Sequence, residues 1–103
     1  MRIAIDFDGV LADGKRIPRE HNFGGWKPKE NAVEAIKFLQ GLGYECYILT
    51  AREEQEWDGM KGWLKRHGFP EMEVTNRKMN AVVYIDDRAV RFTNWRDICK
   101  LFG

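Results

Sequence analysis

Two aspartates stand two apart in Asp6-Phe7-Asp8-Gly9, directly after a short apolar run, and two more stand side by side in Asp86-Asp87 after another. On an extended segment residues two apart point the same way, so Asp6 and Asp8 offer two carboxylates to one side unless a turn at Gly9 redirects the second. Four carboxylates drawn together repel one another and raise their own pKa values. A hard divalent cation relieves that repulsion, and Mg²⁺ takes oxygen ligands while keeping waters that phosphate oxygens can replace. Thr50 adds a hydroxyl at the end of a third apolar run, and Lys78 adds a fixed positive charge. The set suits a phosphoryl group, whose transfer depends mainly on positioning and electrostatic stabilisation. It also allows the carboxylates to divide the work. One attacks phosphorus, and a second protonates the leaving oxygen and then activates water.

Such groups act together only if the fold gathers them, and the apolar patterning says how. Residues 2–7 are rich in branched apolar side chains and read as a buried strand. Asp13-Gly14, between Val10-Leu11-Ala12 and Lys15-Arg16-Ile17, is a hairpin signal. Residues 18–28 hold two prolines and Gly24-Gly25 and read as irregular loop. Pro28 suits the first turn of a helix bearing Ala32, Ala35, Ile36 and Leu39, closed by Gly41 or Gly43. Residues 44–50 form a second buried-type strand, and Trp57, Met60, Trp63 and Leu64 mark a helix from about residue 53 to His67. Gly59 and Gly62 weaken that helix by about 1 kcal/mol each relative to Ala, and Gly68 and Pro70 stop it. Residues 72–75 form a short strand, Ala81-Val82-Val83-Tyr84-Ile85 a clearer one, and Asn94 caps a last helix carrying Trp95, Ile98, Cys99 and Phe102. This alternation predicts an α/β fold, a three-layer Rossmann-like parallel sheet with helices on both faces. Open sheets of that kind bind ligands outside the carboxyl ends of their strands, where all the reactive side chains above fall.

Composition bounds the rest. The chain has 103 residues, 17 Lys+Arg against 16 Asp+Glu, and 13% aromatic residues. That length suits one domain over residues 1–103, able to bury roughly two thirds of its unfolded surface. The aromatic content argues against disorder, and the near-zero net charge removes a strong prior for bulk attraction to nucleic acid or membrane. Cys46 and Cys99 form no CxxC pair, and Cys46 reads as a small buried hydrophobe in a reducing compartment. No apolar run approaches the roughly 20 residues of a membrane span, and charge arrives too early for a signal peptide. A soluble cytoplasmic protein is expected, with no membrane partner. No repeat, low-complexity tract or internal linker is visible.

The motif set resembles that of the haloacid dehalogenase-like superfamily of phosphohydrolases. Ile5-Asp6-Phe7-Asp8-Gly9-Val10 is similar to its first motif, Tyr47-Ile48-Leu49-Thr50 to its second, Lys78 to the lysine of its third and Tyr84-Ile85-Asp86-Asp87 to its fourth, in the right order. The resemblance runs from residue 3 to about residue 91. It implies that Asp6 is the nucleophile, becoming an aspartyl-phosphate, and a Mg²⁺ ligand. Asp8 is then the general acid/base, with its backbone carbonyl on the metal. Thr50 would hydrogen-bond the phosphoryl group, beside Gly9, Ala51 and Arg52 as substrate-binding residues. Lys78 would offset charge, Asp86 would ligate the metal, and Asp87 would be a second ligand or hold metal-bound water. The superfamily carries a β-hairpin flap after its first motif, which gives the Asp13-Gly14 hairpin a role. About forty residues separate Asp8 from Thr50 and a single helix follows Thr50; neither gap holds a cap domain, so the chain resembles a capless member. Capless members often act on large substrates or close the site with a neighbouring subunit, so a homo-oligomer is one expectation.

The expectation is therefore a Mg²⁺-dependent phosphatase acting on phosphomonoesters, whether small molecules or polymer ends. A receiver-like phosphoacceptor domain is disfavoured because its phosphorylated Asp ends a later strand, which here ends in Thr50. A non-catalytic phosphate- or partner-binding module would usually lack Asp6 or Asp8, and a phosphomutase usually needs a cap. Arg52 and Arg88 follow the motifs directly and fit either substrate anions or a solvated or salt-bridged surface. Lys15, Arg16, Arg19, Lys27 and Lys29 form a basic stretch around Trp26 that suits phosphate contacts and base stacking, although a charge run is usually a solvated face. Trp57 and Trp63 read as packing residues, His67 as a helix-end residue favoured by the dipole, and His21 as either a substrate contact or plain surface.

Overall fold

A computed structural model describes residues 2–14, 22–77, 83–86 and 90–102. Five strands form one parallel sheet: β1 (Arg2–Ile5), β4 (Glu45–Leu49), β5 (Glu73–Thr75), β6 (Val83–Asp86) and β7 (Val90–Arg91), in the order β5-β4-β1-β6-β7. A two-stranded antiparallel pair joins β2 (Ala12–Asp13) to β3 (Lys27–Pro28), and the helices are α1 (Ala32–Gly41), α2 (Trp57–Arg66) and α3 (Trp95–Lys100). None of the described helices is long and apolar enough to cross a membrane.

The sheet registers set the faces. Ile5 lies beside Ile48 on one side and Ile85 on the other, and Ile3 beside Cys46. These five residues join one buried cluster with Ala32, Ala35, Ile36 and Leu39 of α1, Met60, Trp63 and Leu64 of α2, and Trp95 and Ile98 of α3. Within α1 the buried positions recur every three to four residues, the spacing that puts them on one stripe. All three described α-helices contribute to this one cluster, and Ala4 and Tyr47 on the opposite face of the sheet are also buried.

Both helices that link the central strands end in the same way. Tyr44 N–H reaches back to Leu39 O and Gly43 N–H to Gln40 O, and Phe69 and Gly68 repeat the pattern on Leu64 and Lys65. Gly43 sits at φ 97°, a conformation that any Cβ disfavours, so it closes α1 in preference to Gly41. At the other end the helix starts later than expected. Pro28 lies in β3, opposite Ala12, and α1 begins at Ala32 behind a left-handed Asn31. A two-residue ladder at an edge tolerates the missing Pro N–H. Asp13 of the predicted hairpin pairs with Lys27, and so residues 27–28 leave the irregular loop assigned to 18–28. Residues 15–17 of that hairpin lie outside the described residues.

Asn94 caps α3 as expected, its side chain accepting from Asp97 N–H at 2.9 Å. The two-residue β7, which no pattern announced, continues the sheet from β6. Both cysteines are free thiols, Cys46 buried and Cys99 half-buried.

Candidate active site

The sheet brings three strand ends to one edge. Asp6 follows the last residue of β1 and donates its N–H to Ile85 O at 3.1 Å, which places it level with Asp86, the last residue of β6. On the other flank Thr50 follows β4 and donates its N–H to Thr75 O at 2.9 Å. The predicted Lys78 and Asp87, with Arg88 and His21, lie outside the described residues, and Asp86 is described through its backbone alone.

Beyond Asp6 the chain coils. Phe7 O accepts from the N–H groups of Val10, Leu11 and Ala12, and Gly9 N–H closes the turn on Ala12 O at 2.8 Å. Gly9 takes φ 76°, the left-handed value the reversal requires. Phe7, which is fully buried, is the anchor of this loop. Its ring stands edge-on to Phe23 and Trp63 at 5.4 and 5.3 Å and beside Trp26 at 6.3 Å. The indole of Trp95 adds a second pin, donating to Val10 O at 2.9 Å. Asp6 and Asp8 are thus carried on either side of a side chain sunk in the core.

Asp6 Oδ1 accepts the N–H of Phe7 at 2.8 Å. Thr50 is buried, and its Oγ1 accepts Arg52 N–H at 3.1 Å, an arrangement that leaves the hydroxyl hydrogen to donate elsewhere. Ala51 between them is exposed.

Arg52 is the departure. The sequence places it with the substrate-binding residues or on a solvated or salt-bridged surface, yet it is 2% exposed. Its guanidinium forks onto Asp8, Nε to Oδ2 at 3.0 Å and Nη2 to Oδ1 at 2.7 Å, while Nη1 reaches Glu56 Oε1 at 2.8 Å. Its carbon centre lies 4.8 Å from the Phe23 ring and 5.2 Å from that of Trp26. Burial alone would lower the guanidinium pKa, but hydrogen bonds and charge from Asp8 and Glu56 outweigh it and push the pKa above its ordinary value.

Glu56, Phe23 and Trp26 were not singled out for this role. Glu56 had a signal, since it stands four residues after Arg52 at the start of a helical stretch. Phe23 and Trp26 had none. Trp26 is 5% exposed and so offers no face for base stacking, which removes the aromatic part of the polymer-binding alternative for this stretch. Within that stretch Lys27 is exposed and Lys29 approaches Asp13 at 3.9 Å. Trp63 is buried, as read from sequence, while Trp57 is half-buried against the core and donates to Arg52 O at 3.0 Å. His67 caps the end of α2 as an exposed residue.

Among the described residues no three His, Cys, Asp or Glu side chains form a metal-holding group. By residue type, Asp6, Asp8 and Asp86 offer only oxygen to a cation, which is what a hard divalent cation takes.

No protein-family model matches the chain. A protein named "putative nucleotidase" from Oceanobacillus iheyensis is 30% identical over 70 residues, covering 55% of this chain. The chain spans only 37% of that relative's length. The solved structure of a conserved protein from Bacteroides thetaiotaomicron is similar over 99% of this chain and 88% of its own, with a TM-score of 0.74 and 26% identity. An α/β fold with a parallel sheet is therefore shared with a known structure.

Proposed function

We propose that this protein is a cytoplasmic, Mg²⁺-dependent phosphatase of the haloacid dehalogenase-like kind, hydrolysing phosphomonoesters through an aspartyl-phosphate. The observation that carries the reading is the placement of Asp6 between the ends of β4 and β6, level with Asp86 and flanked by Thr50. The name of the Oceanobacillus relative supports phosphohydrolase chemistry and puts nucleotides first among substrates to try.

Asp6 attacks phosphorus, forming a carboxylate O–P bond as the bond to the leaving oxygen breaks. Asp8, entering the cycle protonated, gives that oxygen its proton. It then takes one from a water that attacks the same phosphorus and frees Asp6. Thr50 donates its hydroxyl to a phosphoryl oxygen, and Lys78 offsets the added negative charge. Asp6, the backbone carbonyl of Asp8 and Asp86 would hold Mg²⁺, with Asp87 as a further ligand or the holder of a metal-bound water. When bound, the ion neutralises charge between carboxylates and phosphate.

The test is phosphate release from an aryl phosphate and a panel of nucleotides, sugar phosphates, phosphopeptides and 5′- or 3′-phosphorylated oligonucleotides. It is run with Mg²⁺, with chelator and with Asp6→Asn. Metal-dependent release that vanishes in Asp6→Asn is expected. No release from folded wild-type protein would overturn the reading.

A further inference from the structure

We propose that Arg52 is a positioning residue: it fixes the carboxylate of Asp8 for proton transfer, and Glu56, Phe23 and Trp26 fix Arg52. The inference rests on the phosphatase reading above, in which Asp8 moves the protons. It reassigns a residue whose place in the sequence suggested substrate contact.

Burying an arginine at 1% side-chain exposure is a poor way to stabilise a fold, because the desolvation of the pair offsets much of its attraction. What such a pair supplies is direction. A planar guanidinium meets a carboxylate along two parallel hydrogen bonds, and here both oxygens of Asp8 are engaged. The Asp8 side chain therefore has one orientation.

Arg52 is itself held from every side. Glu56 takes the opposite edge of the guanidinium, and Glu56 in turn accepts Glu53 N–H at 3.2 Å. The planar group lies near two aromatic rings that are packed together at 5.7 Å. Its backbone is tied at both ends, the N–H to Thr50 Oγ1 at 3.1 Å and the C=O to the Trp57 indole at 3.0 Å. The same residue thereby links the hydroxyl assigned to the phosphoryl group with the carboxylate assigned to the proton. A lysine supplies the charge but neither the fork nor the stack.

The test is steady-state kinetics of Arg52→Lys, Arg52→Met and Glu56→Gln on the best phosphomonoester of the panel at saturating Mg²⁺. Folded fraction comes from near-UV circular dichroism and urea unfolding. Both Arg52 variants should lose about 10- to 100-fold in kcat with KM nearly unchanged, since a small misplacement of a reacting group costs that much. Glu56→Gln should lose less, again in kcat. In an Asp8→Asn background, Arg52→Met should cost no further turnover, because the group it positions is already gone.

A KM raised tenfold with kcat retained would make Arg52 a substrate-binding residue and overturn the proposal. So would kcat per folded molecule unchanged in Arg52→Met, or full additivity with Asp8→Asn, either of which leaves only a structural role. A folded wild type without metal-dependent turnover overturns the phosphatase reading and this inference with it. An active wild type with insensitive Arg52 variants overturns this inference alone.

Discussion

Phe7→Leu is the substitution that most directly tests how the two aspartates are held. The ring is fully buried between Asp6 and Asp8 and makes edge-to-face contacts with Phe23 and Trp63 at 5.4 and 5.3 Å. Each such pair contributes about 0.5–1.5 kcal/mol beyond area burial. A leucine retains apolar burial but loses both pairs, so a loss of about 1–3 kcal/mol follows from the contacts alone. Truncation to alanine would cost about 3–5 kcal/mol, a large share of the roughly 5–15 kcal/mol that holds a small domain together. Leucine is therefore the informative change, since the protein stays folded. Urea unfolding followed by tryptophan fluorescence gives the stability loss, and a thermal scan should show a midpoint lower by at least about 4 °C. The loop that Phe7 anchors also carries Asp6 and Asp8, so turnover by the folded variant should fall about tenfold. A Phe7→Leu protein within about 0.5 kcal/mol of wild type and with unchanged kcat would refute the claim that this ring sets the loop.

Other outcomes follow from single contacts. A Cβ at Gly14 would lie 2.5 Å from the Trp26 ring, so Gly14→Ala should destabilise by about 1–3 kcal/mol and shift tryptophan emission, and an unshifted, equally stable variant would show that the ring yields freely. Asn94→Ala removes the cap on Asp97 N–H and should cost about 1 kcal/mol in urea unfolding. Burial pushes the Cys46 thiol from 9.0 up to about 11, which favours its neutral form in the fold; the resulting stability is intact below pH 9 and is lost as pH rises toward 11. Cys46→Val should therefore lose less stability over that alkaline interval than wild type, by on the order of 2 kcal/mol, and parallel curves would refute it.

Much of the architecture was legible because it is local. The strands ending at Ile5, Leu49, Thr75 and Asp86 and the helices bearing Ile36, Trp63 and Ile98 follow from runs and periods within a few residues of one another. What failed needed distant information. Asp13-Gly14 signals a reversal, but only distant information shows that Asp13 pairs with Lys27, fourteen residues on. Pro28 fits a helix start as well as an edge strand, and only pairing with Ala12 decides between them. The two residues of β7 are too few for any period, and they form a strand because β6 offers an open edge. The alternation of strands and helices fixes crossover hand without saying which residues fill each face, so it does not say what covers Tyr47.

The site divides along the same line, and Arg52 shows why. Its type and its place after Thr50 marked it as chemically interesting, but the choice between solvent, substrate and carboxylate lay with partners that the chain supplies from elsewhere. Asp8 is 44 residues away, and Phe23 and Trp26 lie in a stretch that reads as loop. Two carboxylates and two rings enclose this guanidinium, and an arginine so enclosed has traded its hydration for fixed partners. Asp6 carries no such uncertainty of direction, because the pairing of β1 with β6 alone carries it to the edge where Asp86 ends its strand. Asp6, the proposed nucleophile, is thus placed by the sheet, which local sequence specifies. The orientation of Asp8, the proposed proton carrier, depends instead on a buried side-chain network that local sequence does not reveal. If that division holds, substitutions around Arg52 will change the rate of the proposed hydrolysis and leave Asp6 as the group expected to become phosphorylated.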